Sequence, residues 1–141
     1  MNILDIGCGR NKTYGSVGID FCGNADADVR HDLNSFPYPF AENTFDGVIS
    51  NLTFHEVKPV PDKRDLVREA LRVVKPGGTF AFVDYFYCGK FYGRTAEFES
   101  YLRKMNLSQF EFKPLHRMIA IPVLLRHPKI FGRVGIVYGK K

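Results

Sequence analysis

Residues 3–11 constrain what this 141-residue chain can fold into more than any other stretch, and their sequence is ILDIGCGRN. An apolar run, interrupted by Asp5, ends in Gly7 and Gly9 with one residue between them. Such a run is typical of a buried parallel strand, and glycines directly after it let a ligand approach the backbone closely. The stretch therefore predicts a strand that leads into a ligand-binding turn.

The rest of the chain alternates between predicted strands and predicted helices. One helix is expected to begin at Pro61 and Asp62 and to stop at residues 75–78, and Thr95 is expected to cap a second helix. The alternation predicts a Rossmann-like, doubly wound α/β fold with a mostly parallel sheet of about 6–7 strands. After the first strand, strands are predicted at residues 17–21, 29–33, 45–50, 79–85, 109–113 and 133–138.

At this length the chain is expected to form a single domain, residues 1–141. An apolar segment broken by Pro122 lies between the last two predicted strands. We interpret residues 113–132 as an insertion that either covers the sheet or lies on the substrate side of the site. Within this insertion, residues 118–131 could have one of three roles: to cover a sheet face, to line a substrate site or to dip into a lipid surface.

The links after the first two strands are short. Seven residues, 10–16, separate Gly9 from the second strand, and residues 22–28 form an equally short link to the third. A parallel crossover normally needs a dozen or more residues, so the helices after strands 1 and 2 are predicted to be reduced or absent. One sheet face would then be bare and would need a second subunit, a protein partner or a segment folded back onto it.

Composition excludes some classes of protein. No apolar run approaches the ~18 residues of a membrane span, and no basic-then-apolar leader opens the chain, so a cytoplasmic location is expected. Cys8, Cys22 and Cys88 lack Cys-x-x-Cys spacing. They are expected to be reduced, and no metal site is predicted.

Positive charge is concentrated at the end of the sequence. The formal net charge is +5, and residues 101–141 hold nine Lys and Arg against one Glu. A basic region of this kind can bind RNA, an anionic surface or acidic substrates. The alternative is an ordinary solvated basic face.

Several motifs occur in an order that resembles one enzyme family. Residues 4–9 (LDIGCG) and 17–20 (VGID) resemble the first motif and second strand of the class I S-adenosylmethionine-dependent methyltransferases. Residues 32–37, followed by 43–46, are similar to the adenine-loop and fourth-strand segment of the type 11 (UbiE-like) branch. Residues 72–78 (RVVKPGG) are similar to the turn before its fifth strand.

The resemblance covers about residues 3–84 and is to a shortened form of the family. Compared with the family, the sequence is expected to lack the leading segment and the helices after the first two strands. Asn11 stands where the family commonly has glycine. The resemblance implies an antiparallel C-terminal strand at the end of the sheet. It also implies S-adenosylmethionine as the cofactor and methyl transfer to an acceptor that the sequence does not identify.

The site residues follow from the residue types and from the resemblance. Gly7 and Gly9 would let the backbone approach the cofactor's amino acid part and sugar, and an ionised Asp20 can accept hydrogen bonds from both ribose hydroxyls. The resemblance implies that Asp32 or the backbone at Leu33 meets the adenine. For each acid the alternative is a turn or cap residue. The full predicted cofactor-binding set is Asp5, Gly7, Gly9, Asp20, Asp32, Leu33, Asn51 and Leu52.

Catalysis does not require a base, because methyl transfer from a sulfonium mainly needs aligned and desolvated reactants. His55 is the candidate base if one is used; the alternative is that His55 is merely a polar surface residue.

A second hypothesis for the function is a catalytically silent, methyltransferase-like binding or regulatory subunit. A nicotinamide-binding oxidoreductase is disfavoured because Lys12 replaces the third glycine and Asp20 follows Gly7 by 13 positions, against roughly 20 expected.

Overall fold

A computed structural model describes all 141 residues, and it is built around a seven-stranded mixed sheet. The strand order is β3-β2-β1-β4-β5-β7-β6; β7 is antiparallel to both of its neighbours and the pairs among β1 to β5 are parallel. The predicted Rossmann-like architecture is confirmed. The strands are β1 Ile3–Ile6, β2 Val17–Asp20, β3 Val29–Arg30, β4 Phe45–Asn51, β5 Val74–Asp84, β6 Gln109–Pro114 and β7 Gly135–Lys140.

Three α-helices connect the second half of the sheet: α1 Arg64–Arg72, α2 Gly89–Tyr92 and α3 Thr95–Arg103. Helix α1 begins at Arg64, two residues after Asp62, where it was predicted to start. Asp62 precedes the helix, and its carboxylate accepts a hydrogen bond from the Arg64 backbone N–H at 3.0 Å. The prediction that Thr95 caps α3 is wrong. Arg94 is extended and precedes the helix, and the Glu97 carboxylate accepts the Arg94 backbone N–H at 3.1 Å.

The helices and one sheet face enclose a single core of 22 buried residues. Along β5, Phe80 and Phe82 point into this core, whereas Ala81 and Val83 on the opposite face remain partly exposed. Phe98 of α3 is fully buried and stacks on Phe86 with ring centroids 5.1 Å apart. Apolar burial on this face fixes the strand register and holds the ends of the strands in place.

The opposite sheet face has no helix over its first strands. No helix occurs between β1 and β4, in agreement with the short links in the sequence. A groove of about 590 Å³ lies on this face, with Ile3, Ile49, Ala81, Ile136 and Tyr138 among its lining residues. We call this surface the bare face.

Three strands differ from their predicted bounds by two residues or more, and three others differ by one residue. β3 has only two residues because Asp32 turns the chain by accepting the Asn34 backbone N–H at 3.1 Å. β5 begins at Val74, and the predicted stop at residues 75–78 is a bulge within the strand: Phe45 pairs with Val74 and Gly47 with Thr79. The last strand begins at Gly135, two residues later than predicted.

The connection between β6 and β7 lies at the carboxyl edge of the parallel strands. Gly135 pairs with Pro114 on one side and with Asp84, the last residue of β5, on the other. Residues 115–134, called the 115–134 loop below, therefore protrude at this edge and contain two short 3-10 helices. None of the helices combines the length and the apolar character needed to cross a membrane.

Candidate functional site

The turn after β1 is built for close approach to its backbone. Gly7 has a φ of +69° and Gly9 a φ of +55°, a region that glycine adopts without steric cost. A Cβ added to Gly7 would lie 2.1 Å from the Thr53 side chain, whereas a Cβ added to Gly9 would meet no atom within 4 Å. Gly7 therefore packs tightly beneath the loop after β4, and Gly9 faces open space.

Asp20, the last residue of β2, bonds both to the glycine turn after β1 and to the turn that follows β2. One carboxylate oxygen accepts the Gly9 backbone N–H at 2.9 Å and the other accepts the Cys22 backbone N–H at 2.8 Å. Asp20 is only 8% exposed, yet it lines a cavity of about 420 Å³. A carboxylate oxygen has two lone pairs, so each oxygen can still accept a hydrogen bond from a ligand.

The same cavity continues to the turn after β3. Its lining includes Asp32, Leu33 and Asn34, and the Asn34 side-chain amide donates to both Asp32 carboxylate oxygens at 2.9 Å. Leu52 closes the cavity from the β4 side. This volume falls within the range of about 300–1,000 Å³ that is usual for small-molecule sites.

A second cavity of about 410 Å³ shares Gly7 with the first and lies towards the bare face. It is lined by Asp5, Gly9 and Asn51, among others. Asp5 is 7% exposed and accepts the Thr13 backbone N–H at 2.9 Å, so it holds the loop after the glycine turn.

Burial raises the pKa of the Cys8 thiol, which also lines this second cavity, to about 11. The thiol is therefore protonated and a poor nucleophile near neutral pH.

The loop after β4 holds an unusual backbone conformation. Leu52 has a φ of +53°, which non-glycine residues rarely adopt, and its backbone N–H donates to the Val83 carbonyl at 2.7 Å. The Thr53 hydroxyl donates to the Ile6 or Gly7 carbonyl, each 3.3 Å away. Strained residues of this kind concentrate at binding sites, where surrounding contacts hold them in place.

His55 forms a partly buried pair with Asp84 at the end of β5. The imidazole Nδ1 lies 2.8 Å from the Asp84 carboxylate, which is fully buried, and the His55 backbone N–H donates to the same carboxylate at 3.2 Å. The hydrogen bond to Asp84 raises the pKa of His55 above its ordinary value, although burial opposes the shift. The other ring nitrogen, Nε2, lies 3.1 Å from the Glu56 carboxylate, which is exposed.

The structure brings the predicted cofactor residues to one edge of the sheet. Gly7, Asp20, Asp32, Leu33 and Leu52 line the first cavity, and Asp5, Gly7, Gly9 and Asn51 line the second. His55 lies at the same edge, but its ring points towards Asp84 and Tyr85 and is not among the lining residues of either cavity.

Sequence reasoning missed two residues of the site. Thr53 sits against Gly7, and nothing in the local sequence marks it. Asp84 is the partner of His55 across 29 positions. The signal for Asp84 was an acid at the carboxyl end of an apolar strand, where ligand-site residues of doubly wound sheets are found.

This sheet order, with ligand-sized cavities beyond the carboxyl ends of β1, β2 and β4, defines a class I methyltransferase fold. A family model described as a methyltransferase domain matches residues 4–82, more than half of the chain. The chain therefore belongs to the S-adenosylmethionine-dependent methyltransferases of the type 11 family, whose cofactor is S-adenosylmethionine. No curated protein matches the chain significantly.

Solved structures share the fold at low sequence identity. A chain of the complex between the Haloferax volcanii Trm112 methyltransferase activator and its proposed methyltransferase is 19% identical, with a TM-score of 0.67 over 99% of this chain and 82% of that one. An S-adenosylmethionine-dependent methyltransferase from Mesorhizobium loti is 15% identical, with a TM-score of 0.63 over 99% and 90% of the two chains.

A third similar structure is that of Haemonchus contortus phosphoethanolamine N-methyltransferase 2 with phosphomonomethylethanolamine and S-adenosylhomocysteine. It is 15% identical, with a TM-score of 0.67 over 100% of this chain and 48% of that one. At these identities the likeness shows the shared fold alone.

Proposed function

We propose that this chain is an S-adenosylmethionine-dependent methyltransferase whose cofactor lies across the two cavities that meet at Gly7. The observation that supports the proposal most strongly is the Asp20 carboxylate at the wall of the larger cavity, held by two backbone N–H groups. A charged acceptor already oriented by its neighbours suits the two adjacent hydroxyls of a ribose.

The residues present fit the other parts of the cofactor. Asp32 and Leu33 lie at the far end of the larger cavity, where Asp32 or the Leu33 backbone would meet the adenine. The open space beside Gly9 and the polar side chain of Asn51 in the second cavity suit the charged amino acid part. The sugar would then lie between Gly7 and Leu52.

When bound, the cofactor supplies a methyl group on a positively charged sulfur, which a nucleophile of the acceptor attacks. The chain's own residues then have to align the two molecules and exclude water. We propose His55 as the group that removes a proton from acceptors that carry one. Asp84 holds the His55 imidazole in one orientation and, as a carboxylate, stabilises its protonated form.

His55 becomes available to an acceptor if the exposed Glu56 side chain moves away from Nε2. Glu56 is 71% exposed, so this movement breaks no buried contact of Glu56. The acceptor itself is not identified by any residue of the site.

We also propose the single-domain organisation of residues 1–141, with residues 113–132 on the substrate side, since the 115–134 loop protrudes at the same edge as the cavities.

A second candidate function is a catalytically silent subunit that binds a partner protein. The bare face favours it, because a groove lined by Ile3, Ile49 and Ile136 is an apolar surface of the kind that partners cover. In that case the glycine turn would be structural, and the chain alone would not need to bind the cofactor.

Calorimetric titration of the purified chain with S-adenosylmethionine, S-adenosylhomocysteine and NAD separates these candidates. The methyltransferase proposal predicts micromolar binding of both adenosyl ligands and much weaker binding of NAD. Absence of heat with either adenosyl ligand, on a chain shown to be folded by circular dichroism, would contradict the proposal and favour the subunit. Preferential binding of NAD would contradict both.

A further inference from the structure

The most unusual surface of the molecule outside the cofactor cavities is the 115–134 loop. Of the ten large hydrophobic side chains that are exposed, six lie in its thirteen residues 118–130. Val123 and Leu124 are 77% and 84% exposed, far more than aliphatic side chains usually are in a folded domain. The six are Met118, Ile119, Val123, Leu124, Leu125 and Ile130.

The loop that carries these side chains has a defined backbone structure. Backbone hydrogen bonds close the loop on itself: the Phe131 N–H donates to the Leu125 carbonyl at 3.1 Å, and the Gly132 N–H donates to the His127 carbonyl at 3.0 Å. Ile121 is buried and anchors the loop, and a Cβ added to Gly132 would lie 2.2 Å from the Arg126 carbonyl oxygen. The exposed aliphatic groups thus sit on a packed turn.

The charge of the loop has one sign only. Arg117, Arg126, Lys129 and Arg133 are exposed, and none of them forms an ion pair with a carboxylate. The last acid of the chain is Glu111, so residues 112–141 contain no carboxylate side chain. Unpaired cations around exposed aliphatic side chains complement a surface that is negative outside and apolar beneath.

We propose that the 115–134 loop docks on a bilayer that contains anionic lipids. Val123, Leu124 and Ile119 would enter the boundary between headgroups and acyl chains, while Arg117 and Lys129 would contact the anionic headgroups. An RNA surface offers phosphates but gives a run of exposed aliphatic groups no apolar environment. A bilayer satisfies both properties of the loop.

The position of the loop gives docking a consequence. Gly135 pairs with Asp84 at the carboxyl end of β5, and Pro114 pairs with Gly135. A bilayer bound by the loop would therefore lie at the same edge as the glycine turn and the His55 pair. This proposal does not depend on methyl transfer: the loop would dock whether or not the cofactor binds, and its test uses no cofactor.

The test is co-sedimentation of the full chain with two vesicle preparations, phosphatidylcholine alone and phosphatidylcholine with about 30% phosphatidylserine. We expect binding to the anionic vesicles, little binding to the neutral ones, and weaker binding as salt is raised, since exposed charges are screened. Binding only to neutral vesicles, or to neither preparation, would overturn the proposal.

Two double variants separate the apolar contribution from the charge. Val123→Ser with Leu124→Ser is expected to weaken vesicle binding at least tenfold. Arg117→Gln with Lys129→Gln is expected to weaken it about 30-fold, at roughly fivefold per cation. The four positions are exposed, so the variants are expected to fold, and their circular dichroism spectra would verify this.

A control variant removes the same charge elsewhere: Arg103→Gln with Lys104→Gln, at the end of α3, both exposed. It is expected to bind the vesicles within about threefold of wild type. An equal loss in the control and in the Arg117/Lys129 variant would show binding by net charge alone and would overturn the proposal. Two other results would do the same: RNA binding without vesicle binding, or a dimer in light scattering that the Val123/Leu124 variant abolishes.

Discussion

Replacing Asp20 by Asn tests the cofactor site at the residue on which it most depends. Asn has nearly the same size, but it is neutral and its side chain has only one acceptor oxygen. In the wild type both Asp20 oxygens accept backbone N–H groups, from Gly9 at 2.9 Å and Cys22 at 2.8 Å. The variant therefore loses the charged acceptor for the ribose and leaves one backbone donor without its partner.

The expected size of the effect follows from these two losses. A hydrogen bond to a charged group contributes about 1.5–3 kcal/mol, so loss of one such bond weakens S-adenosylhomocysteine binding roughly 10- to 150-fold. The unpaired backbone donor lowers the free energy of unfolding by about 1–3 kcal/mol. Both effects have to be measured, because a loss of fold would mimic a loss of binding.

Calorimetric titration with S-adenosylhomocysteine gives the affinity, and urea denaturation gives the stability of the same sample. Asp65→Asn is the matched control, since Asp65 pairs on the surface of α1 with Arg68 at 2.8 Å, away from both cavities. Its affinity is expected to equal that of wild type. A folded Asp20→Asn variant that binds within threefold of wild type would refute the role given to Asp20.

Three further variants test the geometry. Gly7→Ala should lower the free energy of unfolding by about 2 kcal/mol or more, because φ is +69° and the new Cβ would lie 2.1 Å from Thr53. Gly9→Ala, where nothing lies within 4 Å of the new Cβ, should lower stability less, as measured by thermal denaturation. Equal losses in the two variants would contradict the tight packing of Gly7 against Thr53. His55 has a raised pKa, so its pairing stabilises the fold fully below a pH of about 6.5 and loses this contribution as the pH rises through the folded pKa. The stability difference between wild type and His55→Gln, from urea denaturation, should therefore be larger at acid than at alkaline pH; no change with pH would contradict the pairing. Phe98→Ala should lower the free energy of unfolding by about 3–5 kcal/mol, since Phe98 is fully buried, and a loss below about 1 kcal/mol would show that the core is packed differently.

Much of the fold was predictable because local sequence specifies it. The apolar run of β1 and its two glycines, the acid that ends β2 and the amphipathic α1 are all marked by nearby residues. The lengths of the links also predicted the missing helices, since seven residues cannot form a parallel crossover with a helix. The strand order and the direction of β7 follow from these elements only through the resemblance to the family.

The remaining features depend on contacts between distant residues. The bulge at residues 75–78 is set by the pairing of β5 with Phe45 and Gly47 on β4, which no local pattern encodes. The fit of Thr53 against Gly7 and the bond between His55 and Asp84 join positions 46 and 29 residues apart. Such contacts arise when the carboxyl ends of several strands meet, so the sequence indicated the edge of the sheet but not the partners within it.

The most direct test of the cofactor site is a titration of the isotopically labelled wild-type chain with S-adenosylhomocysteine, followed by the backbone amide resonances in NMR spectra. Saturable shifts are expected at Gly7, Gly9 and Leu33, and none beyond noise at Gly47 and Gly139, which line the groove of the bare face. Shifts confined to the bare face, or no shifts at millimolar ligand, would contradict the proposed cofactor site.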